Sequence, residues 1–305
     1  MSANMSSRLA GLVIFTTLLF AFLGWLLPDF LRNAQLPILG LLLVSIGLPH
    51  GATDFLLFKR ITSAKLTRKH ILKFFIIYIS AVVGFMLLWL ILPLFSFLLF
   101  ILISAYHFGQ SNWENIVLAK KYDVLINLFW GAFAIGGPIL WHWEESSVVI
   151  GQITGYVINF SKEVMALSQL VLIALNLAII LILKYNLKIS YSQLKIEVIK
   201  IGVLSLLFYF TPMLVGFSLY FALWHSLSSL NSQILFYKKL WPNFNVIHYY
   251  RQAAPFTFLA LVGLVMMIYG HPYVLPNVSI ISTFVVFIAC ITLPHVFLID
   301  ESYQY

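Results

Sequence analysis

The feature that most constrains this chain is a series of long apolar runs, each about as long as a helix that crosses a bilayer. A spanning helix needs roughly 20 mostly apolar residues. Soluble domains carry about 25% charged residues, whereas this chain of 305 residues is 62% hydrophobic and 9% charged. The sequence therefore predicts an all-α polytopic transmembrane bundle of about ten helices, forming a single integral membrane domain over residues 1–305. The predicted spans are residues 9–27, 36–58, 71–92, 94–112, 122–141, 164–183, 198–212, 213–236, 253–270 and 278–299.

Prolines and polar segments separate these runs. Residues 28–37 predict a short polar turn and residues 59–73 a basic loop. Pro93 is expected to divide a long apolar stretch into a tight hairpin, and Pro212 either separates two helices or kinks one longer helix. Residues 241–243 and 271–273 are expected to end two further helices. Because no small-residue cleavage site comes after residues 9–27, we expect that run to be a retained first helix rather than a signal peptide.

The basic residues predict an orientation in the membrane. They give a formal charge of +8, but they lie in short clusters between apolar runs, so no nucleic-acid partner is expected. With a cytoplasmic N-terminus and ten alternating helices, all 18 except Arg32 and Lys162 fall on the cytoplasmic side. The sequence therefore predicts a multi-pass protein of the cell (inner or plasma) membrane with both termini in the cytoplasm. The lone cysteine, Cys290, lies in an apolar run and cannot form an intramolecular disulfide.

Four of the eight histidines lie inside predicted spans, and the others lie in or beside loops. Ionisable residues at membrane depth are costly and are functional candidates by default. The four lie on even-numbered helices, which run in the same direction, so they can meet in one layer of the inner half of the bundle. Neutral imidazoles are common ligands of borderline metals and suit Fe(II). The alternative is four separate histidines, each bonded to a backbone carbonyl. The four are His50, His107, His225 and His295.

The surroundings of His50 add a carboxylate. Asp54 lies four residues later, on the same face of a continuous helix, where it can orient the ring of a metal-bound histidine. The alternative is that Asp54 pairs with Lys59 or Arg60. Next to His107, Gly109 allows the close approach of a neighbouring helix or a ligand.

Three short motifs, taken in order, resemble the Brp/Blh family of bacterial and archaeal membrane carotene dioxygenases. They are Pro49-His50-Gly51-x-x-Asp54, His107-Phe108-Gly109 and Trp224-His225-Ser226-Leu227, with Pro294-His295 near the end. The resemblance extends over the whole chain in length, helix count and motif order. It implies a β-carotene 15,15′-dioxygenase, an enzyme that cleaves the central double bond of β-carotene with O2 to give two molecules of retinal at a non-haem iron.

The resemblance also implies which residues bind Fe(2+). His50, His107 and His225 match family ligands directly. The family's fourth histidine usually comes four residues after the third, where this chain has Ser229, so His295 is the substitute by depth. Asn112 also stands where an acidic residue is common.

The activity that the resemblance implies needs an apolar pocket in the membrane. β-Carotene, or a related carotenoid, is a hydrocarbon that dissolves in the lipid bilayer, and we expect an aromatic-lined site for it. The candidate pocket walls flank the ligands: Tyr106, Phe108, Trp113 and Trp224. The other partners implied are O2 and a retinal acceptor such as a rhodopsin.

Three other functions fit parts of the pattern. The first is a transporter or ion-relay protein with buried histidines, although no internal repeat is visible. The second is a haem-binding redox protein with two histidine axial ligands. The third is an inactive carotenoid-binding homologue with a degraded metal site.

Overall fold

The described part of the chain is built from helices. The computed structural model describes residues 7–62, 66–113, 116, 120–186, 188–274 and 278–302, and these contain no strand. The predicted all-α fold is confirmed. Its helices are α1 (Ser7–Leu26), α2 (Pro28–Leu42), π1 (Leu43–Gly47), α3 (Leu48–Gly51), α4 (Asp54–Ile61), α5 (Arg68–Ile91), α6 (Pro93–Trp113), α7 (Lys120–Trp141), α8 (Trp143–Thr154), α9 (Lys162–Tyr185), α10 (Tyr191–Phe210), α11 (Met213–Leu219), π2 (Tyr220–Ser226), α12 (Leu227–Leu240), α13 (Val246–Val274) and α14 (Ile280–Ser302), where π marks a π-helical segment.

Within the described residues, nine helical segments are long and apolar enough to cross a membrane. Their outward faces are apolar: Ile76, Ile77 and Ile79 of α5, for example, are each more than half exposed. Such surfaces are stable in lipid and not in water. The polytopic bundle is therefore confirmed. The nine segments are Ser7–Leu26, Pro28–Lys59, Arg68–Ile91, Pro93–Trp113, Tyr122–Trp141, Lys162–Tyr185, Met213–Lys239, Val246–Gly270 and Ile280–Ile299.

Helix α10 is as long as a span but carries a buried ion pair. Lys200 Nζ lies 2.7 Å from Glu197 Oε1 and donates to Asn112 Oδ1 of α6 at 2.9 Å. The amide nitrogen of Asn112 donates to Glu197 Oε2 at 3.2 Å, which closes a triangle of three polar groups. The sequence predicts Lys200 among the cytoplasmic charges. The side chain is 1% exposed and paired inside the protein, and the side of the membrane on which it lies stays a prediction.

The contacts of the chain form two compact units. The first comprises Met1–Gly47, Ala105–Ser146 and Asn159–Phe244. In it, α7 packs on α9 and α1 packs on α10. Two amides of α9 bond to backbone carbonyls of α7: Asn176 Nδ2 donates to Phe129 O at 3.0 Å, and Gln169 Nε2 donates to Phe133 O at 3.4 Å. Hydrogen bonds of this kind join helices where lipid offers no competing partner.

The second unit comprises Leu48–Ser104, Ser147–Ile158 and Asn245–Tyr305. Helix α14 packs on α5, α13 and α4, and α3 packs on α13. Phe85 and Trp89 of α5 lie against Ala289 and Cys290 of α14 in its core. Cys290 is a free, buried thiol. A single membrane domain over residues 1–305 stays a prediction.

Two of the predicted boundaries change. Residues 28–37 are helical rather than a turn, because Pro28 occupies the first turn of α2, where its missing N–H costs nothing. Helix α10 begins at Tyr191, seven residues before the predicted run. It ends at Phe210, and Pro212 directly precedes α11. Pro212 therefore separates two helices, which is one of the two predicted alternatives. Pro93 begins α6 directly after α5, as predicted.

The remaining boundaries lie in the second half of the chain and in the basic segment. Helix α12 ends before residues 241–243, as predicted, whereas α13 continues through Pro272 to Val274. Helix α8 has no counterpart among the predicted spans. Much of the basic segment at residues 59–73 is helical, since α4 runs to Ile61 and α5 begins at Arg68; residues 63–65 lie outside the described residues.

Candidate metal centre

Two π-helical segments lie beside two of the intramembrane histidines. π1 ends at Gly47, three residues before His50, and π2 contains His225. A π-helical turn adds a residue to the helix and rotates the next part of the chain about the helix axis, and such turns are frequent at functional sites. The two segments pack on each other. Gly47 permits this packing, because a Cβ there would lie 2.6 Å from Cε1 of Phe221. The π turns therefore set the direction in which the two histidine side chains leave the backbone.

His107 of α6 and His225 of π2 form a buried pair. Their ring centroids lie 4.9 Å apart with an angle of 74° between the planes. When two imidazole nitrogens bind one ion at about 2.1 Å, each ring centre lies roughly 1.1 Å beyond its nitrogen. For nitrogen–metal–nitrogen angles of 90–109°, the two ring centroids are then about 4.5–5.2 Å apart. The observed separation falls in that interval. The pair is therefore arranged as two ligands of one metal ion would be.

Close packing of α6 on α7 fixes the position of His107. A Cβ on Gly109 would lie 2.5 Å from Cα of Asn127, and a Cβ on Gly131 would lie 2.5 Å from Cα of Ala105. Only glycine allows two helix backbones to approach this closely. The close approach predicted at Gly109 is therefore made by the neighbouring helix α7.

Asp54 contacts His295, a residue of α14. Its Oδ1 lies 2.7 Å from His295 Nδ1, and its Oδ2 accepts a hydrogen bond from Tyr78 Oη at 2.8 Å. The sequence predicts instead that Asp54 pairs with His50, or with Lys59 or Arg60. The pairing with His50 assumes one continuous helix, but the helix breaks at residues 52–53, so the two residues belong to α3 and α4.

His50 and His295 form a second buried pair. Their ring centroids are 4.9 Å apart, and the ring planes are 79° apart. These values nearly equal those of the His107–His225 pair. The backbone next to His50 is held by Tyr249 of α13, whose hydroxyl lies 3.2 Å from Thr53 Oγ1 and donates to Pro49 O at 3.4 Å.

Each unit holds one buried pair of imidazoles with the spacing that two ligands of one ion have. His107 and His225 form the pair of the first unit, and His50 and His295 form the pair of the second. All-imidazole donors suit iron, zinc, copper or nickel, so the residues fit the predicted Fe(2+).

The four predicted pocket residues differ from one another in their surroundings. Phe108 lies at the site, with its ring centroid 4.5 Å from that of His225. Trp113 packs edge-on against Trp130 at 5.8 Å. Trp224 donates from Nε1 to a hydroxyl of α1 at 2.9 Å. The hydroxyl of Tyr106 accepts from Gln110 one turn later, at 3.4 Å. A pocket role for these four residues stays a prediction.

Sequence reasoning missed an aromatic row that leads to His225. The rings of Phe217 and Phe221 are stacked at 5.7 Å with 6° between their planes, and Phe221 is stacked on His225 at 5.9 Å and 20°. The ring of Tyr220 contacts that of Phe108, with 5.5 Å between their centroids. The signal was present in the sequence, since residues 217, 221 and 225 have a helical spacing of four.

Ser229 lies one turn after His225, at the start of α12. Its side chain is half-buried. Because the α-helix resumes after π2, positions 225 and 229 share a face. A histidine at 229 would therefore lie on the side of the helix that carries His225.

Comparisons with known proteins identify the family of this chain. No solved structure matches the chain. A stretch of 86 residues is 40% identical to a protein named beta-carotene 15,15′-dioxygenase from uncultured marine bacterium 66A03, and covers 28% of this chain and 31% of that protein. Residues 41–301, which include all four intramembrane histidines, match the family described as beta-carotene 15,15′-dioxygenase. The Brp/Blh resemblance is confirmed, and the chain belongs to the β-carotene 15,15′-dioxygenase family.

Proposed function

We propose that this chain cleaves β-carotene, or a related carotenoid, at its central double bond with O2 to give two molecules of retinal. The reaction takes place at a non-haem Fe(II) site held by His50, His107 and His225, with His295 as the fourth ligand. The observation that carries the proposal is the buried pair of His107 and His225, whose ring centroids lie 4.9 Å apart, as those of two ligands of one ion would. The family match supports a carotenoid as the substrate.

The proposed ligands are neutral imidazoles shielded from water. His50, His107 and His225 are each 2–3% exposed. Imidazole nitrogens are suitable ligands for Fe(II). When bound, Fe(II) supplies the activation of O2 that protein side chains cannot provide.

The aromatic side chains next to the ligands would orient the substrate. A carotenoid has a flat, apolar conjugated chain and no charged group by which to bind. Phe108 and Phe221 lie on His225 from two directions, and flat rings of this kind favour stacking on a conjugated plane. Since the chain of double bonds is nearly uniform, the position in which the walls hold it selects the bond that is cleaved.

The proposed location is the inner or plasma membrane of the cell, with both termini in the cytoplasm. Exposed basic residues support this orientation at the start of α5 (Lys69 and Lys73) and at the end of α12 (Lys238 and Lys239). Lys162, which this orientation places outside, lies 3.7 Å from Glu144. The bilayer would deliver the carotenoid, and a rhodopsin is the proposed retinal acceptor.

The proposal is tested by expressing the chain in a bacterial host that accumulates β-carotene and separating the extracted pigments by chromatography. We expect β-carotene to be replaced by retinal. His107→Ala is expected to abolish the product. The matched control is His248→Ala, since His248 is exposed and contacts Asn245 at the start of α13. Intact β-carotene in cells with well-inserted wild-type protein would contradict the proposal, and equal loss in both variants would contradict the metal site.

A further inference from the structure

The carboxylate of Asp54 joins two side chains from distant helices. It is 5% exposed, and each of its oxygens has one partner: His295 Nδ1 at 2.7 Å and Tyr78 Oη at 2.8 Å. Tyr78 lies on α5, Asp54 begins α4, and His295 lies on α14. An ionised carboxylate only accepts hydrogen bonds, so the tyrosine hydroxyl donates to one oxygen and the histidine Nδ1–H to the other.

The contact with the carboxylate orients the His295 ring. With its proton on Nδ1, the neutral ring has its lone pair on Nε2, the nitrogen that points away from the carboxylate. A carboxylate bonded to the second nitrogen of a histidine is the arrangement that orients metal-bound histidines and raises their basicity. Tyr78 in turn holds the carboxylate, so that it cannot rotate away from the ring.

The position of His295 relative to His50 matches that of a second ligand. The centroid separation is 4.9 Å and the angle between planes 79°, against 4.9 Å and 74° for His107 and His225. Two imidazoles on one ion are about 4.5–5.2 Å apart by centroid. The two rings of the His50–His295 pair are therefore arranged like those of His107 and His225, which match ligands of the family.

We propose that Tyr78 and Asp54 are positioning residues that hold His295 as the fourth metal ligand of this chain, where the family's usual position is Ser229. The inference rests on the proposed function, because it assumes that a metal binds at His50. It reassigns Asp54 from orienting His50 to orienting His295. Tyr78, which no sequence motif marks, becomes part of the site.

The test is a double-variant cycle on the full-length protein in detergent, with Co(II) as the probe. Affinity and the ligand-field absorption spectrum of Co(II) are measured for Tyr78→Phe, His295→Gln and the double variant. Loss of a partner to a metal-bound histidine typically weakens metal binding about 10–100-fold. We expect Tyr78→Phe to weaken Co(II) binding about 10-fold, and His295→Gln to weaken it further and to change the spectrum. In the His295→Gln background, Tyr78→Phe is expected to have no further effect.

A matched control separates positioning from general stability. Ser282→Ala removes another buried hydrogen bond of α14, that from Ser282 Oγ to Gln152 Oε1 at 2.8 Å, and is expected to leave Co(II) affinity unchanged. If Tyr78→Phe weakens binding equally with and without His295, or leaves it at the wild-type value, the positioning role is overturned while the proposed function stands. A wild-type chain that binds no metal would overturn both proposals. Metal binding with the expected cycle, but without carotenoid cleavage, would overturn the proposed function alone.

Discussion

Gly109→Ala tests whether the close packing of α6 on α7 positions His107. The added Cβ would overlap the carbonyl group of Asn127 and would lie 2.5 Å from its Cα, whereas carbon atoms in contact are about 3.5 Å or more apart. The atoms that it meets belong to the backbone of α7 and cannot rotate away. The two helices must therefore separate by at least about 1 Å at this point, two residues from His107.

The size of the effect can be worked out from that displacement. Overpacking of this kind costs about 1–3 kcal/mol, and the better helix propensity of alanine offsets up to about 1 kcal/mol of it. We therefore expect a net loss of roughly 1–2 kcal/mol in the free energy of unfolding. A shift of about 1 Å in a reacting group costs on the order of 100-fold in rate. Carotenoid cleavage should therefore fall about 100-fold while the protein still folds.

The assay compares Gly109→Ala with Gly202→Ala. Gly202 lies in α10 and has no atom within 4 Å of an added Cβ, so the same substitution there is expected to be neutral or to stabilise by up to about 1 kcal/mol. Thermal unfolding in detergent, metal content and the rate of retinal formation are measured for both. Wild-type metal content and rate in Gly109→Ala would refute the reasoning, because α6 could then move without consequence for His107.

Three further predictions concern other parts of the structure. Lys200→Met is expected to cost about 3–5 kcal/mol in the free energy of unfolding because it leaves the buried carboxylate of Glu197 without an opposite charge. Lys200→Met/Glu197→Gln should cost clearly less, and an equal or larger loss in thermal unfolding would contradict the ion pair. Ser229→His is expected to restore Co(II) binding to His295→Gln by at least 10-fold, and no gain in titration would mean that position 229 does not face the metal. Trp224→Phe is expected to lower stability by about 1 kcal/mol, since it removes one hydrogen bond to α1, and to leave the cleavage position unchanged by chromatography; a shifted product would instead assign Trp224 to the pocket wall.

Much of the fold could be predicted because lipid imposes a simple rule on sequence. Apolar runs of about 20 residues must be helices, since no other structure satisfies the backbone there except a closed barrel. The boundaries that failed are those at which a polar side chain is compatible with a helix. The polarity of residues 28–37 predicts a turn, but proline is favourable in the first turn of a helix, where Pro28 lies. The burial of Lys200 was not predicted, because Asn112, which bonds to Lys200 and Glu197, lies 88 residues from Lys200 in the sequence.

The intramembrane histidines could be identified from the sequence, whereas the contacts around them could not. Helix direction and depth were enough to group these histidines, and the structure holds them as two buried pairs, His107 with His225 and His50 with His295. The partner of Asp54 was not predictable, because residues 52–53 break the helix and His295 lies 241 positions away. The π-helical turns have no sequence signature comparable to a cap or a proline. Next to the first of them, Gly47 lies close against Phe221.

Titration of the metal-free protein with Fe(II) tests the central claim most directly. Purified protein is stripped with a chelator and supplied with β-carotene in detergent and with O2, and retinal formation and O2 uptake are measured as Fe(II) is added. The account predicts no product without metal, activity that rises until one iron is bound per chain, and two molecules of retinal per O2 consumed. Full activity in the metal-free protein, or intact β-carotene when one iron is bound at His50, His107 and His225, would contradict it.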